Sequence, residues 1–472
     1  MEPEDFIKNK KVLLMGLGVL GGGVATSQWL IKHQAKLTIT DLKTKEELKD
    51  SLSKLKPFLH RIKLVLGEHR EKDFQTNDII VVNPSVIIKN NHFLAIAKKK
   101  TTIITSDLGL FLKFSLSPII AITGTRGKTT TATWLTQLLN QKYPAFLAGN
   151  IPQNPALSLL DKIKPESPVV LEISSFQLEL LNRIKPKIAI ITNLFTDHLN
   201  RYGTMKQYAK TKARIFKNQD KNDYLILNYD NQWTKYFLSL KPKSKIYFIS
   251  HQPLPLNKNG IFFKNNKLYF QENKKIIGDF SIKDFFEKQG RHNLENFMFA
   301  ALAGNIFGLS LKQIEKSIEM LAQIKFRQEI VYRNKNLMII NDSAATSPEA
   351  TQAALERFKK ENLYLITGGT DKNLDFNNLA KKINQCLPTK HLILLEGSAT
   401  EKLIKELKKE NYSKKYFLLN SLEGCLKQTL SLISRHKKTV ILFSPASASF
   451  EKFQNEFDRG EKFNQLIINY FF

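Results

Sequence analysis

Short apolar runs, each followed by a stretch of helical spacing, recur along almost the whole chain. They form three series: KVLLMG, KLTITD, DIIVVN and TTIITS; then PIIAITG, PVVLEIS, KIAIITN, DYLILN and KIYFIS; and last NLMIIND, LYLITGG, HLILLEG, YFLLN and TVILFSP. This alternation is typical of parallel β-sheets covered by helices. Because 472 residues are too many for one ordinary core, we predict three α/β domains, spanning residues 1–113, 114–325 and 326–472.

Two segments depart from this alternation. Residues 260–282 read GIFFKNNKLYFQENKKIIGDFSI, which predicts antiparallel hairpin strands added to the second sheet. From about Asn293 to Ile324 the apolar spacing predicts a long helical stretch.

The composition is that of a globular protein, with 42% hydrophobic residues. No run approaches the roughly 20 apolar residues of a membrane helix, so we expect no membrane insertion. The chain begins MEPEDFIKNKK, without the apolar centre of a signal peptide. Cys386 and Cys425 lie far apart, which indicates neither a disulfide framework nor a cysteine metal site. We therefore predict a cytoplasmic protein.

The formal net charge is +29, from 72 Lys and Arg against 43 Asp and Glu. A basic chain can bind nucleic acid, because cations neutralise phosphates. Here, however, the basic residues are mostly lysines, spread along the chain and mixed with acidic ones. This pattern favours anionic small-molecule substrates, and we predict no nucleic-acid partner.

The segment AITGTRGKTTTATWL, residues 121–135, contains a glycine-rich loop between an apolar strand and a stretch of helical spacing. At a helix N-terminus, backbone N–H groups and the helix dipole favour phosphate oxygens. Lys128 would bridge the terminal phosphates and the Thr129 hydroxyl would suit Mg²⁺. The predicted nucleotide-binding residues are Gly124, Thr125, Arg126, Gly127, Lys128, Thr129 and Thr130.

Three further polar elements follow strands or helices of the same predicted domain. Glu172 ends the strand of VVLEIS, at the edge where open α/β sheets bind ligands. Asp197 and His198 follow the next strand, and Lys212 lies on the helix of YAKTKARIF. Taken singly, such a histidine more often makes a structural hydrogen bond, and such a lysine more often lies on a solvated helix face.

A second glycine pattern, Gly16, Gly18 and Gly21 in GLGVLG, follows the first strand, and Asp41 ends the next one. GxGxxG in this setting indicates a bound dinucleotide. A dinucleotide-dependent oxidoreductase is therefore the alternative class, although a dehydrogenase needs no phosphate loop of the kind at residues 124–130.

Taken together, the motifs resemble those of the Mur ligase family, ATP-dependent enzymes that join amino acids to a nucleotide-linked peptidoglycan precursor. The motifs are GTRGKTT, EISSFQLE, TDHLNRYGTMKQYAKTKARIF, GRHNLEN, NDSAAT, TGGTDKNLDF and FSPASASFEKFQNEFDRGEKF. The resemblance implies an N-terminal Rossmann-like UDP-binding domain, a central P-loop ATPase-like domain and a C-terminal Rossmann-like domain. It implies ATP, UDP-N-acetylmuramoyl-L-alanine and D-glutamate as substrates, and we expect a monomer.

By the same resemblance, Lys128, Glu172, His198 and Lys212 are the catalytic residues. Two Mg²⁺ ions are implied, held by Thr129, Glu172, His198 and Lys212. Lys212 matches the lysine that family members carbamylate, which turns a cation into a carboxylate-like metal ligand.

The resemblance also implies further binding residues. Those for ATP are Asn293, Asn296, Arg327 and Asp342. Those for the UDP precursor are Val19, Leu20, Asp41, Lys43, Asn150, Ser174 and Gln177. Those for the amino acid are Thr346, Lys372 and Ser449.

The chain departs from the family pattern at three places. Asn83, Pro84 and Ser85 stand where Ser-Pro-Gly is usual, Ala344 stands where some members carry lysine, and Glu456 stands where an aromatic residue often follows asparagine. A Mur-type ligase for L-glutamate or another amino acid therefore stays open. A folylpolyglutamate-synthase-like enzyme is a further alternative, but folate substrates would not require the N-terminal glycine-rich domain.

Overall fold

The protein is described from a computed structural model covering residues 2–100, 102–151, 153–181, 183–434 and 437–471, without the side chain of Glu287. The chain divides into two compact units. The first comprises Met1–Glu287 and Asn293–Leu321, and the second comprises Lys288–His292 and Ala322–Phe472. The first unit holds two β-sheets and the second holds one. The domain limits at 113/114 and 325/326 stay predictions.

The first sheet has five parallel strands in the order β3-β2-β1-β4-β5. The strands are β1 (Lys11–Met15), β2 (Lys36–Asp41), β3 (Ile62–Leu66), β4 (Ile79–Val82) and β5 (Ile103–Thr105). The helices are α1 (Pro3–Ile7), α2 (Gly22–Lys32), α3 (Lys49–Leu55), α4 (Glu71–Thr76), α5 (His92–Lys98) and α6 (Asp107–Phe114). The central strands β1 and β4 are almost wholly buried, as expected for a parallel sheet with both faces covered.

The second sheet has nine strands in the order β14-β13-β12-β11-β10-β9-β6-β8-β7. Its strands are β6 (Ile119–Thr123), β7 (Phe146–Gly149), β8 (Val169–Glu172), β9 (Ile188–Ile191), β10 (Tyr224–Asn228), β11 (Lys245–Ser250), β12 (Asn259–Lys264), β13 (Lys267–Glu272) and β14 (Lys275–Ser281). Two pairings at one edge, β12–β13 and β13–β14, are antiparallel, as predicted for residues 260–282. The other pairings are parallel.

The helices that accompany this sheet include a pair near the end of the first unit. They are α7 (Lys128–Leu139), α8 (Ser175–Leu180), α9 (Leu199–Tyr202), α10 (Met205–Ala213), α11 (Thr234–Ser239), α12 (Lys283–Gln289), α13 (Leu294–Ile306) and α14 (Leu311–Ser317). The predicted helical stretch 293–324 is therefore interrupted. Gly308 has φ +109°, which ends the first helix, and Ser310 and Gln313 form a capping box that begins α14.

The third sheet has six strands in the order β15-β16-β20-β17-β18-β19, in which β15 and β16 pair antiparallel and the other neighbours pair parallel. The strands are β15 (Glu329–Arg333), β16 (Leu337–Asn341), β17 (Asn362–Thr367), β18 (Leu392–Leu395), β19 (Tyr416–Leu419) and β20 (Thr439–Phe443). The helices are α15 (Pro348–Phe358), α16 (Asn377–Cys386), α17 (Ser398–Lys409), α18 (Leu422–Leu432) and α19 (Glu456–Phe471). Short 3-10 helices span Lys56–Arg61, Ala156–Leu159, Arg291–Asn293 and Ile318–Met320.

Candidate active site

The glycine-rich loop lies between β6 and α7, in the strand–loop–helix arrangement that its sequence predicts. Gly124 has φ +150° and Gly127, which precedes the first residue of α7, has φ +80°. A Cβ atom on Gly124 would lie 1.9 Å from Thr192 Oγ1, and one on Gly127 would lie 2.1 Å from Asn296 Oδ1. Glycine is favoured at both positions, because φ is positive and a Cβ atom would overlap a neighbouring side chain unless that side chain moved.

The loop is held by the segment that follows β9. Asn193 Oδ1 accepts a hydrogen bond from Arg126 N at 2.9 Å, and Thr192 Oγ1 donates to Arg126 O at 2.7 Å. Lys128 Nζ donates to Thr125 O at 3.1 Å. Thr192 and Asn193 were not among the predicted site residues. The sequence feature that could have identified them is their position directly after a buried strand, at the same sheet edge as the loop.

Asn293 and Asn296, at the start of α13, lie against this loop. Thr131 Oγ1 donates to Asn296 Oδ1 at 3.4 Å, and Asn296 Nδ2 donates to Asn293 Oδ1 at 2.9 Å. Because α13 packs against α7, the two asparagines are brought to the first turn of α7, which also carries Thr129 and the buried Thr130.

Glu172 ends β8 and is 2% exposed. Its Oε1 accepts a hydrogen bond from Asn150 Nδ2 at 3.2 Å, whereas its buried Oε2 has no hydrogen-bond partner among the residues that the structure describes. A buried carboxylate oxygen left in this state costs free energy unless a cation or another donor meets it. The residue therefore fits the implied role of a Mg²⁺ ligand, because Mg²⁺ prefers carboxylate oxygens.

Lys212 is 1% exposed, which excludes the solvated helix face as its setting. Its Nζ donates to Gly124 O at 2.9 Å and to Thr123 Oγ1 at 3.3 Å, and lies 4.7 Å from the centroid of the Tyr208 ring. Burial, together with the positive charge of Lys128, holds the pKa of Lys212 well below its usual value. The negative charges of Asp197 and Glu172 oppose this shift only in part.

His198 precedes α9 in the left-handed conformation, with φ +54°. Its Nδ1 lies 3.7 Å from Asp197 Oδ1, and its side chain is 40% exposed. The ring packs against Phe176, with centroids 4.9 Å apart, and against Tyr208 at 6.0 Å. The structure thus brings both His198 and Lys212 next to Tyr208, and Lys212 also bonds the glycine-rich loop at Gly124 O.

The second glycine pattern forms the turn between β1 and α2, and its three glycines all have positive φ. Asp41 is buried below this turn. Its Oδ2 accepts hydrogen bonds from Leu17 N at 2.8 Å and Gly18 N at 3.0 Å, and its Oδ1 accepts from Lys43 N at 2.9 Å. Asp41 therefore already shapes the loop on which a ligand would lie.

The other predicted precursor-binding residues divide into exposed and internally bonded ones. Val19 and Leu20 are 46% and 55% exposed at the tip of the glycine turn. Lys43 Nζ lies 3.3 Å from Glu47 Oε1. Ser174 and Gln177 form the capping box of α8, in which each side chain bonds the backbone of the other.

In the second unit, Asp342 follows β16 and is 5% exposed. Its oxygens accept hydrogen bonds from Ser444 Oγ at 2.7 Å and Gln328 N at 3.0 Å. Burial raises the pKa of Asp342 to about 7, although these two hydrogen bonds and the charges of Arg327 and Arg357 oppose the shift. Arg327 itself is exposed.

The three predicted amino-acid-binding residues differ in exposure. Lys372 is exposed and Thr346 is half-buried. Ser449 is 2% exposed, and its Oγ has no hydrogen-bond partner in the described part of the chain.

Arg459 is a functional candidate that the sequence did not single out, although it lies in the quoted motif EFDRGEKF. It is fully buried, and its guanidinium donates to Ser343 O at 2.8 Å, Ala448 O at 2.9 Å and Ser447 O at 3.1 Å. It thereby fixes the two loops that carry Thr346 and Ser449. Burial lowers the pKa of Arg459 to about 10, so that it keeps its charge at neutral pH.

Three family models match the chain in order. They are the MurD-like N-terminal domain at residues 10–105, the Mur ligase middle domain at 122–304 and the Mur ligase glutamate ligase domain at 326–446. The UDP-N-acetylmuramoylalanine–D-glutamate ligase of Borreliella afzelii (strain PKo) is 40% identical over 467 residues, which is 98% of each chain. The chain belongs to the Mur ligase family.

More distant relatives extend the likeness of this Mur ligase. The enzyme of the same name from Roseiflexus sp. (strain RS-1) is 34% identical over 478 residues, covering 98% of this chain and 99% of its own. Among solved structures, the UDP-N-acetylmuramate–alanine ligase of Thermotoga maritima shares the fold, with a TM-score of 0.62 at 19% identity over 98% of this chain and 100% of its own. The MurF ligase of Thermotoga maritima in complex with ADP has a TM-score of 0.56 at 17% identity over 99% and 97%.

Among the described residues, no three His, Cys, Asp or Glu side chains come together as a potential metal cluster. Within the same part of this Mur ligase, none of the helices combines the length and apolar character needed to cross a bilayer.

Proposed function

We propose that this Mur ligase joins D-glutamate to UDP-N-acetylmuramoyl-L-alanine at the expense of ATP, in the synthesis of peptidoglycan precursors. The observation that carries the chemistry is the edge of the second sheet, where the glycine-rich loop, Glu172 and Lys212 lie together. The choice of D-glutamate follows the names of the relatives that match this chain along its whole length. We propose that it acts as a cytoplasmic monomer.

In the first step, an oxygen of the L-alanine carboxylate attacks the γ-phosphorus of ATP, and the bond to the β–γ bridging oxygen breaks. An acyl phosphate and ADP result. In the second step, the glutamate amine attacks the acyl carbon, inorganic phosphate leaves and the nitrogen loses a proton. Both steps crowd anions together, so fixed positive charge is the main requirement. Lys128 and the backbone N–H groups of residues 124–130 supply it to the phosphates.

The residues at the sheet edge fit Mg²⁺. Thr129, Glu172 and His198 would hold it, with Lys212 as a carbamate for a second ion; Mg²⁺ would neutralise phosphate and carboxylate charge. Carbamylation requires a neutral amine, and the lowered pKa of Lys212 favours that form. The unpartnered Oε2 of Glu172 supports a bound cation.

The remaining residues bind the three substrates. ATP is held by residues 124–130, Asn293, Asn296, Arg327 and Asp342, and the UDP precursor by Val19, Leu20, Asp41, Lys43, Asn150, Ser174 and Gln177. Glutamate is held by Thr346, Lys372 and Ser449. Lys372 suits the side-chain carboxylate as a charged donor. The unpartnered Oγ of Ser449 is available to a ligand.

The replacement of Lys128 by Ala tests the proposal. We expect this variant to lose ATP-dependent ligation while keeping the wild-type thermal unfolding temperature, because Lys128 is half-buried on the loop and does not pack in the core. Lys210→Ala, which removes an exposed lysine, is the matched control and should keep full activity. A folded Lys128→Ala enzyme with normal turnover would remove the glycine-rich loop from the mechanism.

A further inference from the structure

Arg201 lies on α9, three residues after His198, and only 10% of its side chain is exposed. Its Nε and Nη2 donate to the two oxygens of Glu179, both at 2.9 Å. The guanidinium also lies 4.2 Å from the centroid of the Phe176 ring. A bidentate pair stacked on an aromatic ring fixes the orientation of the guanidinium as well as its position.

The other N–H groups of the same guanidinium reach the first sheet. Nη2 donates to Val86 O at 2.9 Å, and Nη1 lies 3.4 Å from Ser85 O. Both carbonyls belong to the loop that follows β4. Arg201 therefore joins a loop of the first sheet to α8 and α9, which accompany the second sheet.

The loop of residues 83–86, to which Arg201 donates its hydrogen bonds, lies against the glycine turn after β1. A Cβ atom on Gly16 would lie 2.9 Å from Asn83 Cβ and 3.6 Å from Val86 Cγ2. Asn83 Oδ1 accepts hydrogen bonds from Ser85 N at 3.0 Å and Ser85 Oγ at 2.9 Å, which fixes the shape of this loop. A shift of residues 83–86 would therefore be transmitted to the glycine turn.

We propose that Arg201 is a positioning residue that aligns the precursor-binding turn with the site of phosphate transfer. The inference rests on the proposed function. The precursor carries its UDP group at one end and its reacting carboxylate at the other, so the reaction requires a fixed alignment of two loops on different sheets. A misplacement of about 1 Å can cost about 100-fold in rate. Lysine cannot replace Arg201, because one ammonium group cannot bond Glu179, Val86 and Ser85 together.

The test uses the full-length enzyme and the variants Arg201→Lys, Arg201→Ala and Glu179→Gln. Arg183→Ala, which removes an exposed arginine, is the control. For each variant, kcat and the KM values for precursor, ATP and glutamate are measured, together with the Kd for UDP alone and the thermal unfolding temperature. We expect Arg201→Lys to lower kcat/KM for the precursor by about 10- to 100-fold. The KM for ATP and the Kd for UDP should stay within about twofold, because each ligand still meets an intact loop.

Arg201→Lys and Glu179→Gln carry the test if Arg201→Ala does not fold. If the wild-type enzyme is active and Arg201→Lys has the same kcat/KM for the precursor, the proposed role of Arg201 is wrong, whereas the proposed function stands. Equal losses in UDP affinity, ATP KM and unfolding temperature would also overturn the role of Arg201, because they would indicate a merely structural arginine. A wild-type protein that releases no ADP with all three substrates would instead overturn the proposed function on which the inference rests.

Discussion

At the residue scale, burial separates Lys212 from the other lysines of its helix. Lys206 and Lys210 are exposed, whereas Lys212 points into the protein beside Gly124 and Tyr208. A buried ammonium group loses hydration that two hydrogen bonds to neutral acceptors replace only in part. Carbamylation of Lys212 would remove this buried positive charge, and the lowered pKa of Lys212 favours the neutral amine that carbamylation requires.

We predict that Lys212→Met folds at least as stably as the wild type and loses activity by more than the roughly 10- to 100-fold typical of groups that merely support a metal ligand. Methionine keeps the apolar length of the side chain but cannot form a carbamate. ¹³C NMR after equilibration with ¹³C-bicarbonate should show a carbamate signal in the wild type only.

Lys210→Ala is the control for Lys212, with stability expected within about 0.5 kcal/mol of the wild type. Formate or acetate should restore part of the rate to Lys212→Ala by occupying the vacated space. Full activity of Lys212→Ala at limiting Mg²⁺ would return this lysine to a structural role.

Asp342 makes a second prediction at this scale, about pH. Its pKa is about 7 in the folded protein against 3.8 for a free side chain. Between these values the native state binds more protons than the unfolded chain, so the stability contributed by Asp342 falls as the pH rises from about 4 to 7. Asp342→Asn should remove this dependence of the unfolding free energy on pH. Each unit of difference between the folded and unfolded pKa of Asp342 corresponds to about 1.4 kcal/mol.

Amide hydrogen exchange of peptides from β16 and β20 measures this effect, because Trp29, Trp134 and Trp233 all lie in the first unit and cannot report it. Wild type and variant are compared at the same pH. His292, whose pKa is lowered to about 4, gives the opposite slope in both proteins, so its contribution cancels in the comparison. Parallel pH profiles for the two proteins would contradict the prediction.

At the element scale, the strands that the sequence did not predict share one position. β3, β7 and β15 each lie at an edge of their sheet. β3 and β15 contain charged residues and β7 has only four residues, so none of the three shows the longer apolar run that marks a central strand. The central strands were predicted because both of their faces are buried, which requires a continuous apolar run. The β12–β14 extension was predicted because its hairpin strands alternate apolar and polar residues.

The same limit applies to the candidate site. The glycine-rich loop and Glu172 were predictable, because each follows an apolar strand at the carboxyl edge of a sheet. That Asp41 bonds Leu17 N and Gly18 N, and that Ser174 and Gln177 cap α8, could not be predicted. Such contacts depend on where a side chain meets distant backbone, which periodicity does not encode.

The glycine-rich loop supplies an element-scale prediction through two glycines with nearly equal φ. Gly127 has φ +80° and Gly67 has φ +84°, but only a Cβ on Gly127 would meet another side chain, Asn296. Alanine at either position should cost about 1–2 kcal/mol of stability, through backbone strain. Gly127→Ala should in addition raise the KM for ATP by up to about 100-fold, because Asn296 is displaced.

The KM for ATP of the two alanine variants is compared at a temperature at which both are folded. Gly67→Ala should keep the wild-type KM for ATP. Equal values for the two variants would show that strain, rather than the contact with Asn296, controls nucleotide binding.

At the scale of the whole molecule, family membership assigns the chain to the ligases, so its GxGxxG turn does not indicate a dehydrogenase. The three series of apolar runs correspond to the three sheets, which is why the fold class could be predicted from sequence. The resemblance also implied D-glutamate, in agreement with the names of the full-length relatives, although Ala344 and Glu456 depart from the usual pattern and left other amino acids open.

The most direct test of the account is ADP release by the purified enzyme with ATP, Mg²⁺ and UDP-N-acetylmuramoyl-L-alanine, against a panel of amino acids that includes both glutamate isomers. The account predicts release that requires all the substrates, is supported by D-glutamate and is at background with L-glutamate. NAD or NADP should neither bind nor be reduced. Release with L-glutamate in preference to D-glutamate would contradict the proposed acceptor, and hydride transfer without ADP release would contradict the ligase itself.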